Sequence, residues 1–200
     1  MRCIPVGEDA VLVEVDDTAQ ASALYAEARR RGTEAVDIVP AARTVLFRGV
    51  PDVAALTGEL LGWSLPEGDV ASGPLVEVPT RYDGPDLAAV ARLWDMTERE
   101  AIGTHTATDM LVAFCGFAPG FAYCTGLPAE RAVPRLDTPR TRVPAGSVGL
   151  AGAFTGVYPT ASPGGWQLLG RTGLTLWDAS RDQPATLAPG TRVRFVEVHG

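Results

Sequence analysis

Lysine is absent from this 200-residue sequence, and all seventeen basic residues are arginine. A chain without lysine cannot supply the phosphate-binding lysine of a Walker A loop, the strand lysine of a kinase or a Schiff-base amine. The sequence also contains no GxGxxG motif, so a dinucleotide-binding fold receives no support. The absence of lysine therefore excludes Walker A, kinase and Schiff-base sites from this chain.

Cysteine and long apolar runs are also scarce. Cys3, Cys115 and Cys124 form an odd, widely spaced set, which disfavours a disulfide framework. No apolar run reaches the ~18 residues of a membrane span, and the first residues lack a signal peptide's basic and apolar regions. We therefore expect a cytoplasmic protein with no membrane segment. No cluster of His, Cys and carboxylates has zinc-like spacing, so no metal site is expected.

Charge is unevenly distributed along the chain, which carries −7 overall. This acidic balance argues against nucleic-acid binding, which needs a basic surface. Residues 116–172 differ, because their five Arg stand against two acidic residues and give the segment +3. The same segment has ten Gly and seven Pro interleaved with aromatic residues, a pattern typical of packed β structure with tight turns. Its arginine excess indicates an anionic ligand or an acidic partner.

The first eighty residues predict one α/β unit. Asp17 or Thr18 can cap a first helix, Gly32 fits its left-handed end, and Pro51 with Asp52 opens a second helix. The predicted elements are a strand at Ala10–Val15, a helix at Ala19–Arg31, strands at Glu34–Val39 and Thr44–Val50, a helix at Val53–Leu61 and a strand at Leu75–Val78. This β-α-β-β-α-β order is that of a ferredoxin-like sandwich.

The pattern changes after Tyr82. A helix is predicted at Pro85–Trp94, and the capping box Thr97–Glu100 opens another helix that ends near His105. Short strands are then predicted at Leu111–Cys115, Ser147–Ala151, Gly156–Tyr158, Gln167–Gly170, Leu174–Trp177 and Val193–Val198. Regular short strands separated by Gly and Pro indicate a β-barrel or sandwich. The sequence therefore predicts an α+β protein with two domains, residues 1–80 and residues 81–200.

Motifs in the second half resemble one known family. In chain order they are YDGPDLAAVA, GFAPGFAYCTGLP, VPAGSVGLAG, TGVYPTASPGGWQLLGRT and LAPGTRVRF. Their length and fixed order resemble the allophanate hydrolase subunit 1 family, which includes the B component of 5-oxoprolinase and an inhibitor of a sporulation histidine kinase. The resemblance runs from about Val76 to Val196, whereas residues 1–75 agree only in general layout.

The resemblance implies a small N-terminal α/β domain and a cyclophilin-like β-barrel. Family members work with a homologous barrel subunit, which is the C component of 5-oxoprolinase or an allophanate hydrolase subunit 2, and 5-oxoprolinase adds an A component. That assembly hydrolyses 5-oxoproline to glutamate at the expense of ATP, which we expect the complex rather than this chain alone to bind. The alternatives are a histidine-kinase inhibitor and the carboxyltransferase half of a biotin-dependent urea carboxylase or allophanate hydrolase system.

Five residues are candidates for binding an anion. Arg135, Arg140 and Arg171 match family motif positions, and their planar guanidinium groups suit two-point binding of a carboxylate or phosphate. Surface ion pairs are the alternative role for these arginines. Gly146 and Ser147 could bind an anion through backbone amides or the hydroxyl. A Ser147-based hydrolase triad is not expected, because Ala145 replaces the first Gly of a nucleophile elbow.

His105 is the candidate catalytic residue, since it matches a family position and histidine is the usual general base near neutral pH. A helix-end histidine that interacts with the helix dipole is the alternative. Five further residues are candidates for a partner interface: Phe117, Pro119, Phe121, Tyr123 and Trp166. Trp is enriched at interface hot spots, whereas turn and core packing is the alternative role for this group.

Two positions depart from the family pattern. Phe154 stands where we expect a polar Gln, and Met110 stands near an expected aromatic residue. A change from a polar to an aromatic side chain at Phe154 would remove a substrate hydrogen bond or enlarge an interface. The intact GFAPGF, VPAGSVG and SPGGW motifs indicate that the scaffold is retained.

Overall fold

The computed structural model describes residues 1–65 and 73–199. By its internal contacts the chain divides into two compact units, Met1–Ser72 and Gly73–Gly200. This division precedes the boundary that the sequence predicts at residue 80. Each unit has hydrophobic clusters of its own, so each is described separately below.

The first unit is a four-stranded antiparallel sheet with two helices. Its elements in chain order are β1 (Arg2–Val6), β2 (Ala10–Glu14), α1 (Thr18–Arg31), β3 (Asp37–Pro40), β4 (Thr44–Arg48) and α2 (Val53–Leu61). The strands lie in the order β1-β2-β4-β3. Alternate residues of the central strands, such as Val11, Val13 and Phe47, are buried with Leu24 of α1 and Leu60 of α2. The alternation of burial along the strands places the core on one face of the sheet.

Both helices begin next to a predicted capping residue, and α1 also ends at its predicted glycine. The Asp17 side chain accepts a hydrogen bond from the backbone of Gln20, and the Asp52 side chain accepts one from Ala55. Gly32 has a φ of +65° and ends α1 in the left-handed conformation. These caps satisfy backbone groups that the helix itself leaves unpaired.

The second unit contains the larger sheet. Its elements are β5 (Leu75–Thr80), α3 (Leu87–Leu93), α4 (Glu98–Ala107), β6 (Met110–Cys115), β7 (Ala122–Thr125), a 3₁₀ turn (Ala129–Arg131), β8 (Arg140–Val143), β9 (Ser147–Ala151), β10 (Phe154–Val157), β11 (Ser162–Gly164), β12 (Gln167–Arg171) and β13 (Arg192–Glu197). Seven strands pair in the order β12-β9-β10-β7-β6-β13-β5, and β8 pairs with β11 in a separate ribbon. The predicted α4 capping box is present.

The seven-stranded sheet closes on itself next to its two edge strands. Arg81 follows β5, Arg171 ends β12, and their backbones form an antiparallel bridge with N···O distances of 2.8 and 2.9 Å. A Cβ atom at Gly170 would overlap the carbonyl oxygen of Arg81, so this approach requires glycine. The result is a nearly closed barrel, which confirms the predicted α+β fold of an α/β unit followed by a barrel-like unit.

The strand order of the first unit differs from the predicted β-α-β-β-α-β order. The sheet contains β1, which the sequence does not predict. The predicted last strand, Leu75–Val78, belongs to the second unit, where it forms part of β5 and pairs in parallel with β13. Pro5, which lies within β1 opposite Val11, has no N–H to donate. An edge position makes this proline tolerable.

The predicted strand at Leu174–Trp177 is also wrong. Within that segment only Trp177 pairs, in an isolated bridge with Ala185. The backbone N–H of Leu174 donates instead to the Thr172 hydroxyl at 3.2 Å. Such local side-chain bonds compete with a strand ladder, so the apolar alternation of this segment does not produce a strand.

Candidate functional site

Arg140 is held by partners within the chain. Its Nη2 donates to both carboxylate oxygens of Asp86, at 2.8 and 2.9 Å, and its Nη1 donates to the Trp166 carbonyl at 3.3 Å. Asp86 also accepts a 2.7 Å hydrogen bond from the backbone of Leu168. The side chains of Arg140 and Asp86 are 27% and 11% exposed. This pair connects β8 with the start of α3 and with β12, so Arg140 has a structural role.

The other two predicted arginines have different surroundings. Arg171 pairs with Asp83 at 2.9 Å, and Arg81 contacts the same carboxylate at 3.0 Å. Arg135 is exposed in the loop before β8 and has no ion pair or hydrogen bond from its side chain within residues 1–65 and 73–199. Because Arg140 and Arg171 are bound to separate acids, the three arginines do not form one anion-binding group.

The turn at Gly146 and Ser147 is saturated by internal hydrogen bonds. Gly146 has a φ of +79°, and its N–H donates to the Tyr158 carbonyl at 2.7 Å. The Ser147 hydroxyl donates to the Pro144 carbonyl at 2.8 Å, and the Ser147 N–H contacts the same oxygen at 3.3 Å. These donors have partners already, so the turn offers no free group for the predicted anion.

His105 is fully buried at the end of α4. Its Nδ1 lies 2.6 Å from the Tyr82 hydroxyl, its Nε2 lies 3.4 Å from the Thr155 hydroxyl, and its ring packs on Phe195 at 4.6 Å. Burial lowers the pKa of His105 to about 3 and raises the pKa of Tyr82. An enclosed, neutral imidazole cannot reach a bound substrate, so the predicted role as a general base receives no support from this geometry.

Most of the predicted interface aromatics are packed inside the second unit. Phe121 and Trp166 are 1% and 5% exposed and meet edge to face at 5.2 Å. Tyr158 belongs to the same cluster, and half-buried Tyr123 packs against it. Phe121 and Trp166 therefore cannot serve as exposed anchors, which corrects their assignment to a partner interface. The aromatic excess of this segment mainly builds a core.

Phe117 and Pro119 do lie at the surface. Phe117 is 63% exposed and has a φ of +71°, a left-handed conformation that is strained for a residue with a Cβ atom. Its ring rests edge to face on Phe121 at 5.3 Å and on Tyr158 at 6.3 Å. A bulky apolar side chain held outward in a strained conformation is a candidate for a functional contact.

An open cavity of about 510 Å³ lies beside this loop. Pro119, Tyr158, Leu174 and Trp177 contribute to its lining. Trp177 is 42% exposed, and a Cβ atom at Gly120 would lie 2.9 Å from that of Trp177. Phe117, Pro119 and Trp177 are exposed together, and we call this group the aromatic rim after its two aromatic members. The sequence prediction missed Trp177 because its segment was assigned to a strand.

A second cavity, of about 430 Å³, lies between α3 and the loop before β8. Its polar lining consists of Arg92, Arg135, Asp137 and Gln167. The Gln167 amide nitrogen donates to the Pro134 carbonyl at 3.2 Å. We call this cavity the arginine cavity. Arg135 was predicted from its Pro-Arg motif, but Arg92 gave no sequence signal because it is an ordinary residue for the last turn of a helix.

The two cysteines of the second unit are buried or half-buried. Burial raises the pKa of Cys115 to about 11 and that of Cys124 to about 12, which keeps both thiols protonated and inert. Across residues 1–65 and 73–199 no group of three or more His, Cys, Asp or Glu residues could hold a metal ion. In the same ranges no helix has the length and apolar character to cross a membrane.

Comparison with known proteins identifies the family. Residues 1–187 match the family described as "Carboxyltransferase domain, subdomain C and D". The B component of 5-oxoprolinase from Escherichia coli O157:H7 is 39% identical over 98% of this chain and 95% of its own length. The chain belongs to this carboxyltransferase family. Within it, the relatives named as the 5-oxoprolinase B component confirm the resemblance to the allophanate hydrolase subunit 1 family.

Two solved structures agree with the fold. The crystal structure of TTHA0988 matches with a TM-score of 0.76 and 33% identity over 96% of this chain, which spans 40% of that chain. Urea carboxylase of Kluyveromyces lactis matches with a TM-score of 0.67 and 20% identity over 98% of this chain and 22% of its own. At 20% identity this second likeness concerns the fold alone.

The two departures from the family motifs lie in different surroundings. Phe154 packs edge to face on Phe114 at 5.4 Å and on Tyr123 at 5.7 Å, and it is partly buried. Met110 is 2% exposed and belongs to the cluster that includes Val112 and Phe195. Phe154 therefore extends a half-exposed aromatic group, whereas Met110 fills the core of a carboxyltransferase-type barrel.

Proposed function

We propose that this chain is the B component of an ATP-dependent 5-oxoprolinase, which converts 5-oxoproline, ATP and water into glutamate, ADP and phosphate. The observation that carries the proposal is the near-complete match to the Escherichia coli protein of that name, at 39% identity over 98% of this chain. The reaction opens a cyclic amide, so the enzyme class is a hydrolase. ATP supplies the energy for that opening and is held by the complex.

The surroundings of the candidate residues support a site that is shared between subunits. His105 is enclosed and neutral, and the Ser147 hydroxyl is bonded to a backbone carbonyl. Both cysteines in the second unit have raised pKa values. Because a hydrolase needs an accessible nucleophile or base, these residues do not form a complete catalytic set. We infer that a partner contributes the missing groups.

The proposed partner is a homologous barrel subunit, either the C component of 5-oxoprolinase or an allophanate hydrolase subunit 2, and the A component joins the complex. The aromatic rim supports this contact, since Trp is enriched at interface hot spots and Phe is enriched in interfaces generally. The strained φ of Phe117 also supports it, because this conformation holds an apolar ring at the surface, where it is 63% exposed. A stable pairing would bury at least ~1,200 Å² in total.

The function is tested by co-expressing the chain with the neighbouring subunits and measuring 5-oxoproline-dependent ATP hydrolysis and glutamate release. We expect turnover only from the reconstituted complex. The isolated chain should neither release glutamate nor hydrolyse ATP in response to 5-oxoproline. Robust turnover by the isolated chain would refute the shared site, and an inactive complex of all subunits would refute the 5-oxoprolinase assignment.

The interface is tested with Trp177→Ala. If Trp177 is an anchor, the change should weaken association with the barrel partner by roughly 2 kcal/mol, measured by calorimetry or analytical ultracentrifugation. Leu61→Ala is the matched control, because Leu61 is a 60% exposed apolar residue of the first unit. Equal affinities for the two variants would remove Trp177 from the interface.

A histidine-kinase inhibitor could use the same exposed aromatic rim to dock on a kinase. Inhibition of a sensor kinase by the chain, together with an inactive subunit complex, would favour that function. A biotin-dependent carboxyltransferase half would instead require a biotin carboxylase as its companion. The fold likeness to urea carboxylase gives this last alternative weaker support than the 5-oxoprolinase relatives give the first.

A further inference from the structure

Two exposed arginines, Arg92 and Arg135, line the arginine cavity. Within the two described ranges, neither Arg92 nor Arg135 has a side-chain hydrogen bond or ion pair. The chain has 24 acidic residues that could pair with them. Nearby arginines do have partners, since Arg140 donates to Asp86 and Arg131 donates to the Trp94 carbonyl. Two arginines without an ion pair in the lining of one cavity of an acidic protein favour an anionic ligand.

The two elements that carry these arginines are fixed to each other. The Trp94 indole N–H at the end of α3 donates to the Arg131 carbonyl at 2.9 Å, and the Arg131 guanidinium donates to the Trp94 carbonyl at 2.7 Å. The loop that follows is tied by Val133, which bridges Gly152, and by Leu136, whose N–H donates to Gly165 at 2.8 Å. The backbone that carries the two arginines is therefore held in place before a ligand binds.

Two more polar groups restrict the kind of anion. The Asp137 carboxylate lines the same cavity and has no side-chain partner in the described part of the chain. Gln167 is held by its bond to Pro134, which leaves its amide oxygen as an acceptor. A carboxylate and an amide oxygen repel a polyanion such as a triphosphate, but they accept hydrogen bonds from N–H groups.

We propose that the arginine cavity binds a small carboxylate that carries an N–H donor nearby, such as a lactam carboxylic acid or an α-amino acid. Arg92 and Arg135 bind the carboxylate, and Asp137 with Gln167 accepts from the N–H. A cavity of about 430 Å³ suits a ligand of this size. The choice of 5-oxoproline and glutamate as ligands rests on the proposed function, whereas the site itself rests on the geometry above.

The test measures binding of 5-oxoproline, glutamate and cyclopentanecarboxylate to the full chain by ligand-observed NMR titration. We expect the two nitrogen-bearing ligands to bind more tightly than cyclopentanecarboxylate, which lacks an N–H. Arg92→Gln and Arg135→Gln should each weaken binding about tenfold, the loss expected for one charge-assisted contact. Arg142→Gln is the matched control, because Arg142 is an exposed arginine of β8 outside the cavity lining.

Asp137→Asn tests whether the site recognises the ligand's N–H group or only attracts its carboxylate. It should weaken glutamate binding, because the ammonium loses a carboxylate partner, and it should leave cyclopentanecarboxylate unchanged or bound more tightly. Circular dichroism of each variant confirms that the exposed substitutions leave the fold intact. Equal binding by the Arg92, Arg135 and Arg142 variants, or no binding of the nitrogen-bearing ligands to the wild-type chain, would overturn the site.

The reconstituted complex distinguishes failure of the site from failure of the function. If the complex turns over 5-oxoproline and Arg135→Gln leaves its KM unchanged, the site is refuted and the proposed function stands. If the complex is inactive but the chain binds the ligands in an arginine-dependent manner, the 5-oxoprolinase function is refuted and the site stands. If Arg135→Gln raises the KM of an active complex and also weakens ligand binding to the chain, the site and the proposed function are both supported.

Discussion

Replacing Arg140 with Ala should destabilise the second unit by about 3 kcal/mol, because it breaks a largely buried ion pair. Arg140 donates two hydrogen bonds to Asp86 at 2.8 and 2.9 Å, and both side chains are mostly enclosed. After the substitution, Asp86 would keep only its bond from the Leu168 backbone. The cost therefore comes mainly from a carboxylate left in the interior without its counter-charge.

Arg171→Ala provides the comparison within the same chain. The Arg171 side chain is 62% exposed and Asp83 is 36% exposed, so water screens their 2.9 Å pair. Surface pairs of this kind contribute roughly 0–1 kcal/mol, and Asp83 would retain its contact with Arg81. The structure thus predicts a clear difference between two arginines that the family motifs do not distinguish.

The assay is urea unfolding followed by near-ultraviolet circular dichroism, which reports the packed aromatic cluster around Trp166. A loss of about 3 kcal/mol lowers the midpoint by roughly 1–3 M, given a dependence of about 1–3 kcal/mol per molar urea. A double-mutant cycle with Asp86→Ala should give a coupling energy of about 2 kcal/mol or more between the two side chains. Equal, small losses for Arg140→Ala and Arg171→Ala would refute the structural role of the pair.

Three further outcomes are expected. Burial holds the pKa of His105 at about 3, against an ordinary value of 6.5. The neutral histidine's contribution to the free energy of unfolding is therefore full above about pH 6.5 and is lost as the pH falls towards 3. His105→Gln should flatten this pH dependence, measured by urea unfolding at about pH 5–7. Phe117→Gly should relieve left-handed strain of about 1 kcal/mol, which offsets the lost ring contacts with Phe121 and Tyr158. The Tm should therefore change little while partner binding weakens, and full partner binding would contradict a functional Phe117. Gly170→Ala should lower the Tm strongly, because its Cβ overlaps the Arg81 carbonyl; an unchanged Tm would mean that the barrel closure adjusts.

Much of the fold could be predicted because local signals and tertiary packing agree. Asp17, Gly32 and Asp52 mark helix ends by capping chemistry, which depends on only a few neighbouring residues. The sheet membership of β5 could not be predicted in the same way. Its pairing with β13 joins residues more than a hundred positions apart, and the pattern of a single strand does not specify such a partner.

The candidate site was harder to predict, because a side chain's availability depends on what the fold places beside it. Trp166 and Trp177 both lie in a Gly- and Pro-rich region, but one is 5% exposed and the other 42%. His105 matches a family position, yet its partners Tyr82 and Thr155 come from distant parts of the chain and enclose it. Residue type and motif position therefore do not predict that His105 is enclosed.

The arginine excess of residues 116–172 shows why a local charge count overestimates an anion site. Arg140 and Arg171 are neutralised by Asp86 and Asp83, both of which lie outside the segment. Arg131 donates to a backbone carbonyl and helps to position the following loop. Only the cations left unpaired by the fold remain available to a ligand, and Arg135 lines a cavity with Arg92, which the segment count does not include. Ligand recognition therefore depends on unpaired charges that converge in space, and net charge along the sequence is an indirect guide to them.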